Sequence, residues 1–419
     1  MSRSPDSIAA RRSFLRGLVS IALAAADPES AVARSVTALR SRDPDPFPWV
    51  LAVGKAARAM ARGAKQGDPR AVGLIVGPRE ADPTEALEGF DVVEGDHPIP
   101  GTGSAASGQA VLSGLLSLPP GARVLCLFSG GASSLCEMPV GGVPFADLQA
   151  MTSILLGSGL PIEVINAARG AVSALKAGRM RLLLEADGRK HDTLVVSDVP
   201  SDDPTVIASG PMDAPGNAAR TRLSELQASP AFAALPASVK KAMASYEPLP
   251  SGGRPSRVIL SGRTVANVLS KVAAAEGLSV DVRGPLRGEA SRVGRELATI
   301  ELNADCTVWF GETTVTLGSG EERGRGGRNQ ELALSFASAS PEGSQRVLLA
   351  LATDGVDGDS DHAGAIVDAH TVLRGEALGS SAREALRRHD AGSFLHRAGD
   401  ALQTGRTGVN VSDITIVLR

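Results

Sequence analysis

Five short apolar runs constrain this chain more than any other feature: Trp49–Val53, Arg123–Phe128, 193–196, Arg257–Leu260 and Val347–Ala352. None alternates cleanly between apolar and polar residues. A strand with one wet face must alternate, whereas a run that is apolar throughout suits a strand covered on both faces, as in parallel sheets. Helical patterns separate the runs, for example at 56–64, 104–116 and 264–276. Strands alternating with helices predict a three-layer α/β fold. At 419 residues the chain exceeds one ordinary core, so two domains are expected. The stretch 248–255, with Ser251-Gly252-Gly253 between prolines, is the best linker candidate.

The residues just past the runs point to function. Trp49–Val53 leads into Gly54-Lys55, and Arg123–Phe128 into Ser129-Gly130-Gly131-Ala132-Ser133-Ser134. The run 193–196 leads into Ser197-Asp198, and Val347–Ala352 into Thr353-Asp354-Gly355. Ligands of open parallel sheets bind beyond the carboxyl ends of the strands, and small polar residues let ligand atoms reach backbone N–H groups there. Ordinary βα turns also favour Gly, Ser and Asp. Four such ends in one chain favour a site.

Beyond residue 304 the texture changes. Residues 305–310 and 313–317 read as strands around Gly311-Glu312, and 409–418 reads as a final strand. The loop 318–328, which includes Gly326, Gly327 and Arg328, is glycine-dense and cationic and opens a helix at 330–337. Such a loop can wrap an anion, phosphate above all, with amides and guanidinium forks. Lys55, just past a buried strand, can neutralise phosphate or carboxylate as a point charge. Asp198 and Asp354 head two acidic clusters suited to a hard divalent cation held by one or two carboxylates plus phosphate. Asn166, Arg169, Ser173 and Lys176 lie at spacings that share one helix face, which could meet a small organic acid.

Other classes are excluded. Aromatics are 3% of the residues and the net charge is -3, so nucleic-acid stacking and basic-surface roles lack their residues. No apolar stretch approaches the roughly 18 residues of a membrane span. Three cysteines make no disulfide framework and have no zinc spacing, and they read as buried hydrophobes of a reducing compartment. There is no Walker loop. Gly101-Thr-Gly103-Ser-Ala-Ala106 matches Gly-x-Gly-x-x-Ala but comes after a proline-rich turn instead of a strand end, so it is read as accidental. Asp357, Asp359 and Asp361 mimic a calcium loop that lacks its glycine and final glutamate. Arg11-Arg12-Ser13-Phe14-Leu15 resembles an export signal, yet Leu15, Leu18, Ala22 and Ala25 recur at helical spacing, so an amphipathic helix and a cytoplasmic enzyme are expected.

Taken in order, several stretches resemble the glycerate 2-kinases that carry a C-terminal MOFRL domain. They are Val53-Gly54-Lys55-Ala56-Ala57, His97-Pro98, Ser129-Gly130-Gly131, Ser197-Asp198-Val199 with Asp202-Asp203-Pro204, and Ile207-Ala208-Ser209-Gly210-Pro211. Gly311-Glu312-Thr313, Gly326-Gly327-Arg328-Asn329-Gln330-Glu331, Thr353-Asp354-Gly355 and the tail Thr404 to Asp413 continue the likeness. The resemblance implies a Rossmann-like parallel-sheet domain (1–250) and a smaller α/β MOFRL-type domain (251–419), with the last strand free to pack on either. It implies transfer of phosphate from ATP, with Mg2+, to the 2-hydroxyl of D-glycerate. It makes Lys55 and Arg328 catalytic, and assigns substrate and phosphate contacts to Ser129, Gly130, Gly131, Ser133, Asn166, Arg169, Glu312, Gly326, Gly327 and Asn329. Asp198 and Asp354 would face the metal. The expected partners are a small hydroxy acid and a nucleotide, with a homodimer as the expected assembly. Gly170 and Ala171 stand where the family usually has lysine and histidine, and Ala132 replaces a glycine. Two other readings stay open: a nicotinamide-dependent hydroxypyruvate reductase, and a catalytically silent small-acid binding protein.

Overall fold

The structure is a computed structural model that describes residues 7–43, 47, 49–79, 86–318 and 324–419. Its contacts divide the chain into two compact units, Pro28–Ile259 and Met1–Asp27 together with Leu260–Arg419. The second crossing lies just past the proline-flanked linker. The first has no signal in the sequence: the N-terminal helix Ile8–Ala25 groups with the C-terminal half of the chain.

The Pro28–Ile259 unit is built on β1 (Trp49–Val53), β2 (Gly73–Pro78), β3 (Phe90–Gly95), β4 (Arg123–Phe128), β5 (Lys190–Val196) and β6 (Arg257–Leu260). They lie in the order β3-β2-β1-β4-β5-β6. Pairing is parallel from β3 through β5, with Leu51 opposite Leu74 on one side and Cys126 on the other. This is the doubly wound order, which reverses direction between β1 and β4 and opens a crevice at their carboxyl ends. The residues of β4 and those of β1 from Val50 on are buried, as their lack of alternation predicts. Cys126 and Cys136 are buried free thiols, and burial pushes both up to about 12, so they act as apolar filler. A separate helical core, built from Phe145–Leu156, Ile162–Val172, Ala218–Gln227 and Ala237–Ala244, encloses Met151, Val164, Leu226 and Val239.

The other unit holds β7 (Val280–Leu286), β8 (Cys306–Gly311), β9 (Val347–Ala352), β10 (Gly364–Asp368), β11 (Ala401–Leu402) and β12 (Asp413–Leu418) in the order β11-β10-β9-β12-β8-β7. Only β7 and β8 pair parallel; the other pairs run antiparallel. The apolar run at β9 therefore reflects a central antiparallel strand covered on both faces, not a parallel one. Burial, which periodicity reports, does not specify strand direction. Two expected strands change as well. Residues 313–317 form no strand, and Thr314 makes a single bridge to Glu289. The last strand begins at Asp413, because Thr407, Asn410 and Ser412 spend their polar groups on local turns. Strands β2, β3, β7, β10 and β11 carry apolar patterns too weak or short to stand out in the sequence.

The paired arginines of the N-terminal helix have structural partners. Arg12 bonds Asp368 at 2.5 Å and Asp400 at 2.6 Å, and Arg11 donates to the Gln345 carbonyl at 2.7 Å. Arg374 reaches the same two aspartates. Both carboxylates are almost fully buried, so they require these cations. Among the described residues no helix is long and apolar enough to cross a membrane. Arg12→Gln should leave Asp368 and Asp400 with Arg374 alone. A loss of roughly 1–3 kcal/mol is expected, less than for a fully buried pair because Arg12 is partly exposed. Urea unfolding of the intact chain measures it.

Candidate active site

The crevice between β1 and β4 is closed by backbone bonds. Ser129 N–H donates to the Val53 carbonyl at 3.0 Å, and Lys55 N–H to the Gly130 carbonyl at 2.9 Å. Ala56 N–H donates to the Ser129 hydroxyl at 3.1 Å. These bonds need Gly54, whose φ is +132°, since a Cβ there would stand 2.2 Å from the Ser129 hydroxyl. Ser129 is therefore turned inward and holds the turn. Its neighbours face outward. The Asp198 carboxylate, at the end of β5, lies over Gly130, where a Cβ would come within 1.9 Å of Oδ2. The Lys55 chain and the His97 ring both border the open side of Gly131, 3.1 Å and 3.3 Å from where a Cβ would sit.

A cavity of about 210 Å³ opens here, lined by His97, Gly130, Ser133, Asn166, Arg169 and Asp198 among others. Asn166 and Arg169 come from the helix Ile162–Val172. The Asn166 amide donates to the Val206 carbonyl and accepts from Ser209, which contacts Ser133 at 2.5 Å. Arg169 is buried; desolvation lowers its pKa, partly offset by the charge of Glu137, but a guanidinium stays charged. The stripe read from spacing stops there. The helix ends at Val172, and Ser173 and Lys176 turn away to a buried network on Glu137. Glu137 takes the Lys176 ammonium and the Ser173 hydroxyl, the latter at 2.6 Å.

His97 lines this cavity, a position that spacing and strand-end reasoning miss, although His97-Pro98 comes shortly after the end of β3. Ser134 ties that turn to the Ser129–Ser134 loop by donating to the Pro98 carbonyl at 2.7 Å. Burial, then the charges of Lys55 and Arg169, lowers the His97 pKa and keeps its imidazole neutral at pH 7. The Gly101–Ala106 match is occupied by the protein itself. The Asp96 carboxylate accepts from Gly103 N–H at 2.9 Å and Ser104 N–H at 3.2 Å, filling the helix start that a pyrophosphate would need.

The other unit has its own cavity, of about 580 Å³, lined by Gly326, Gly327, Arg328, Glu331, Asp354 and His389 among others. Arg328 opens the helix Arg328–Ala339 and is held by two carboxylates. Asp413 takes Nε and Nη2 at 2.5 and 3.0 Å, and Glu312 takes Nη2 at 2.9 Å, itself held by Asn410 at 3.2 Å. Burial opposes the Arg328 charge, but the bonds to Asp413 and the charges of Asp413, Glu312 and Asp357 outweigh it and raise its pKa. Asn329 turns inward: its N–H and amide both donate to buried Asp357, which also accepts from Gln330 N–H at 2.7 Å. Asp357 thus caps the helix from a distant loop. Asp354 accepts from Val356 N–H at 3.2 Å, and burial raises its pKa. The loop interior, 319–323, lies outside the described residues. Asp357 and Asp413 stand out in the sequence only as part of an acidic cluster and of the family-like tail; which residues they pair with does not show there.

No group of three or more His, Cys, Asp or Glu is placed to hold a metal among the described residues. One carboxylate beside a phosphate-sized cradle fits magnesium carried in by a nucleotide, since Mg2+ commonly takes one or two carboxylates and completes its shell with phosphate and water. Asp198 over Gly130 meets that condition.

A parallel crevice lined by a glycine turn, a lysine and a buried arginine defines an α/β enzyme that handles small anions. Comparison with known proteins gives the family. Residues 14–244 match the family model described as "Domain of unknown function (DUF4147)", and residues 305–413 match the MOFRL family. The chain is 35% identical to a D-glycerate 2-kinase of Thermotoga maritima, over 88% of this chain and 90% of that protein. It is 34% identical to a "Putative hydroxypyruvate reductase" of Agrobacterium vitis, over 97% and 94%. The crystal structure of a glycerate kinase from Thermotoga maritima superposes with a TM-score of 0.85 at 31% identity, covering 97% of this chain and 99% of that one. The chain belongs to the glycerate kinase family with a C-terminal MOFRL domain.

The packing of Asp198 on Gly130 yields a direct test. Gly130→Ala should leave far-UV circular dichroism unchanged. Displacing the carboxylate by about an ångström should cost turnover on the order of 10²-fold. Parent-like turnover in a folded variant would remove Asp198 from the site.

Proposed function

We propose that this chain is an ATP-dependent kinase that phosphorylates D-glycerate at the 2-hydroxyl, giving 2-phosphoglycerate and ADP, in the cytoplasm. One observation carries the reading: a single cavity gathers a buried guanidinium, an asparagine amide, a glycine-serine cradle and a carboxylate, with a lysine at its edge. Arg169 and Asn166 suit the carboxylate of a hydroxy acid, through charge-assisted bonds. Gly130, Gly131 and Ser133 suit phosphate oxygens. Phosphoryl transfer asks for positioning and charge stabilisation more than covalent work, which matches this inventory. Lys55 supplies a point charge for the transferring group; Arg328, in the other unit's own cavity, is the second catalytic candidate. In the step, the substrate 2-oxygen bonds to the γ-phosphorus as the bond to the β-phosphate oxygen breaks. His97, held neutral, and Asp198 are two groups bordering the cavity that can accept the hydroxyl proton. Magnesium bound to the nucleotide would supply further neutralisation of phosphate charge, with Asp198 as its candidate protein ligand; Asp354 is the metal candidate of the other unit's own cavity.

The reductase reading has less support, because the helix start that matches a dinucleotide fingerprint is filled by Asp96. An ADP-release assay across small hydroxy acids should show ATP- and Mg2+-dependent turnover of D-glycerate. Lys55→Ala and Arg328→Ala should each lower it roughly 10²–10³-fold, and EDTA should abolish it. Steady oxidation of NADH with hydroxypyruvate would overturn the kinase reading. Acid binding without any ATP turnover would favour a silent binding protein.

A further inference from the structure

The helix Ile162–Val172 borders two hollows. One is the cavity of His97, Arg169 and Asp198. The other, about 120 Å³, is lined by Asn166, Gly170, Ala177, Val206, Ala218 and Tyr246 among others. Asn166 and Val206 line both, and the bond from the Asn166 amide to the Val206 carbonyl forms the partition.

Its walls mix small residues with the charged side chains Glu163, Asp203 and Arg222. Gly170 presents no side chain, and a Cβ there would already press the Ala177 methyl at 2.9 Å. Its inner end is polar and unpaired. The Tyr246 hydroxyl is buried, lacks a hydrogen-bond partner, and sits 3.9 Å from that Cβ position. The Arg179 guanidinium stacks on the Tyr246 ring and donates to the Gly170 and Ser173 carbonyls, which holds the ring against the helix. A buried hydroxyl without a partner carries a desolvation cost that a ligand hydroxyl can relieve.

We propose that this hollow is a distal chamber of the acceptor site, and that it takes the hydroxylated arm of a sugar acid longer than three carbons. The inference rests on the kinase reading of the adjoining cavity. With the carboxylate on Arg169 and the 2-hydroxyl toward the phosphate cradle, the remaining carbons enter the second hollow as the Asn166–Val206 bond of the partition opens. The outer hydroxyls of a four- to six-carbon aldonate then reach the Tyr246 end.

The test compares kcat/KM for D-glycerate with that for four-, five- and six-carbon aldonates and their deoxy analogues. The parent should use at least one longer aldonate as well as glycerate. Ala218→Leu, at an exposed lining position, should lower kcat/KM for the longer acid by 10-fold or more and leave glycerate within 2-fold. Tyr246→Phe should cut the preference for the hydroxylated acid over its deoxy analogue about 10-fold, and should raise the thermal midpoint of the unliganded protein by removing the unpaired hydroxyl. Rejection of every longer acid by the parent, with glycerate turned over, overturns the chamber and leaves the kinase reading standing. If no acid releases ADP, calorimetric titration with the same acids decides. Tighter binding of a longer aldonate that Ala218→Leu abolishes upholds the chamber while the kinase reading falls. Equal binding by parent and variant overturns the chamber.

Discussion

The hydrogen bond from Lys55 N–H to the Gly130 carbonyl is the constraint on which the first site depends. It joins the ends of β1 and β4 at the point where strand order reverses. With it come the inward Ser129 hydroxyl and the glycine at 54 that makes room for that hydroxyl. Once the turns are locked, Lys55, His97 and Asp198 have little choice of position. Each borders a glycine of the Ser129–Ser134 loop. These candidate site residues lie on loops that hydrogen bonds tie to the ends of the strands behind them.

The second unit solves a different electrostatic problem. Its central cation, Arg328, is held by two carboxylates before any ligand arrives. That arrangement fixes the guanidinium plane and leaves Nη1 outside these bonds. Burying Asp413 beside it would be costly without the pairing, and each group makes the other tolerable. Asp357 plays a parallel part for the helix start, where it accepts the first free N–H groups. Of the acidic loop, Asp357 is thus consumed in holding one helix start, while Arg328 is held by Glu312 and Asp413 at strand ends.

Much of this was legible in the chain. The strands β1, β4, β5, β6, β8 and β9 declare themselves by continuous apolar runs, and the residues after them mark the crevice. Gly54, Lys55, Gly130, Ser133, Asn166, Arg169 and Asp198 stand out because they lie at or near those ends, or on one helix face. Lys176 and Ser173 are misplaced by spacing, because helical spacing says nothing of where a helix stops. His97 shows only through the family-like His97-Pro98 pair, because β3 has too little apolar pattern to announce a strand end. Arg12 could be read as part of an export signal or as a helix residue; its contacts with Asp368 and Asp400 decide its role in the structure.

The sequence alone determined the layered α/β class, the buried strands and the family, since these rest on local periodicity and short contiguous motifs. Tertiary structure alone decided strand direction in the second sheet, the pairing of Arg328 with Asp413 across 85 positions, and the grouping of the first helix with the last half of the chain. The physical reason is range. Apolar periodicity is set by which face a residue buries, whereas the partner of a charge is set by the folded path of the whole backbone.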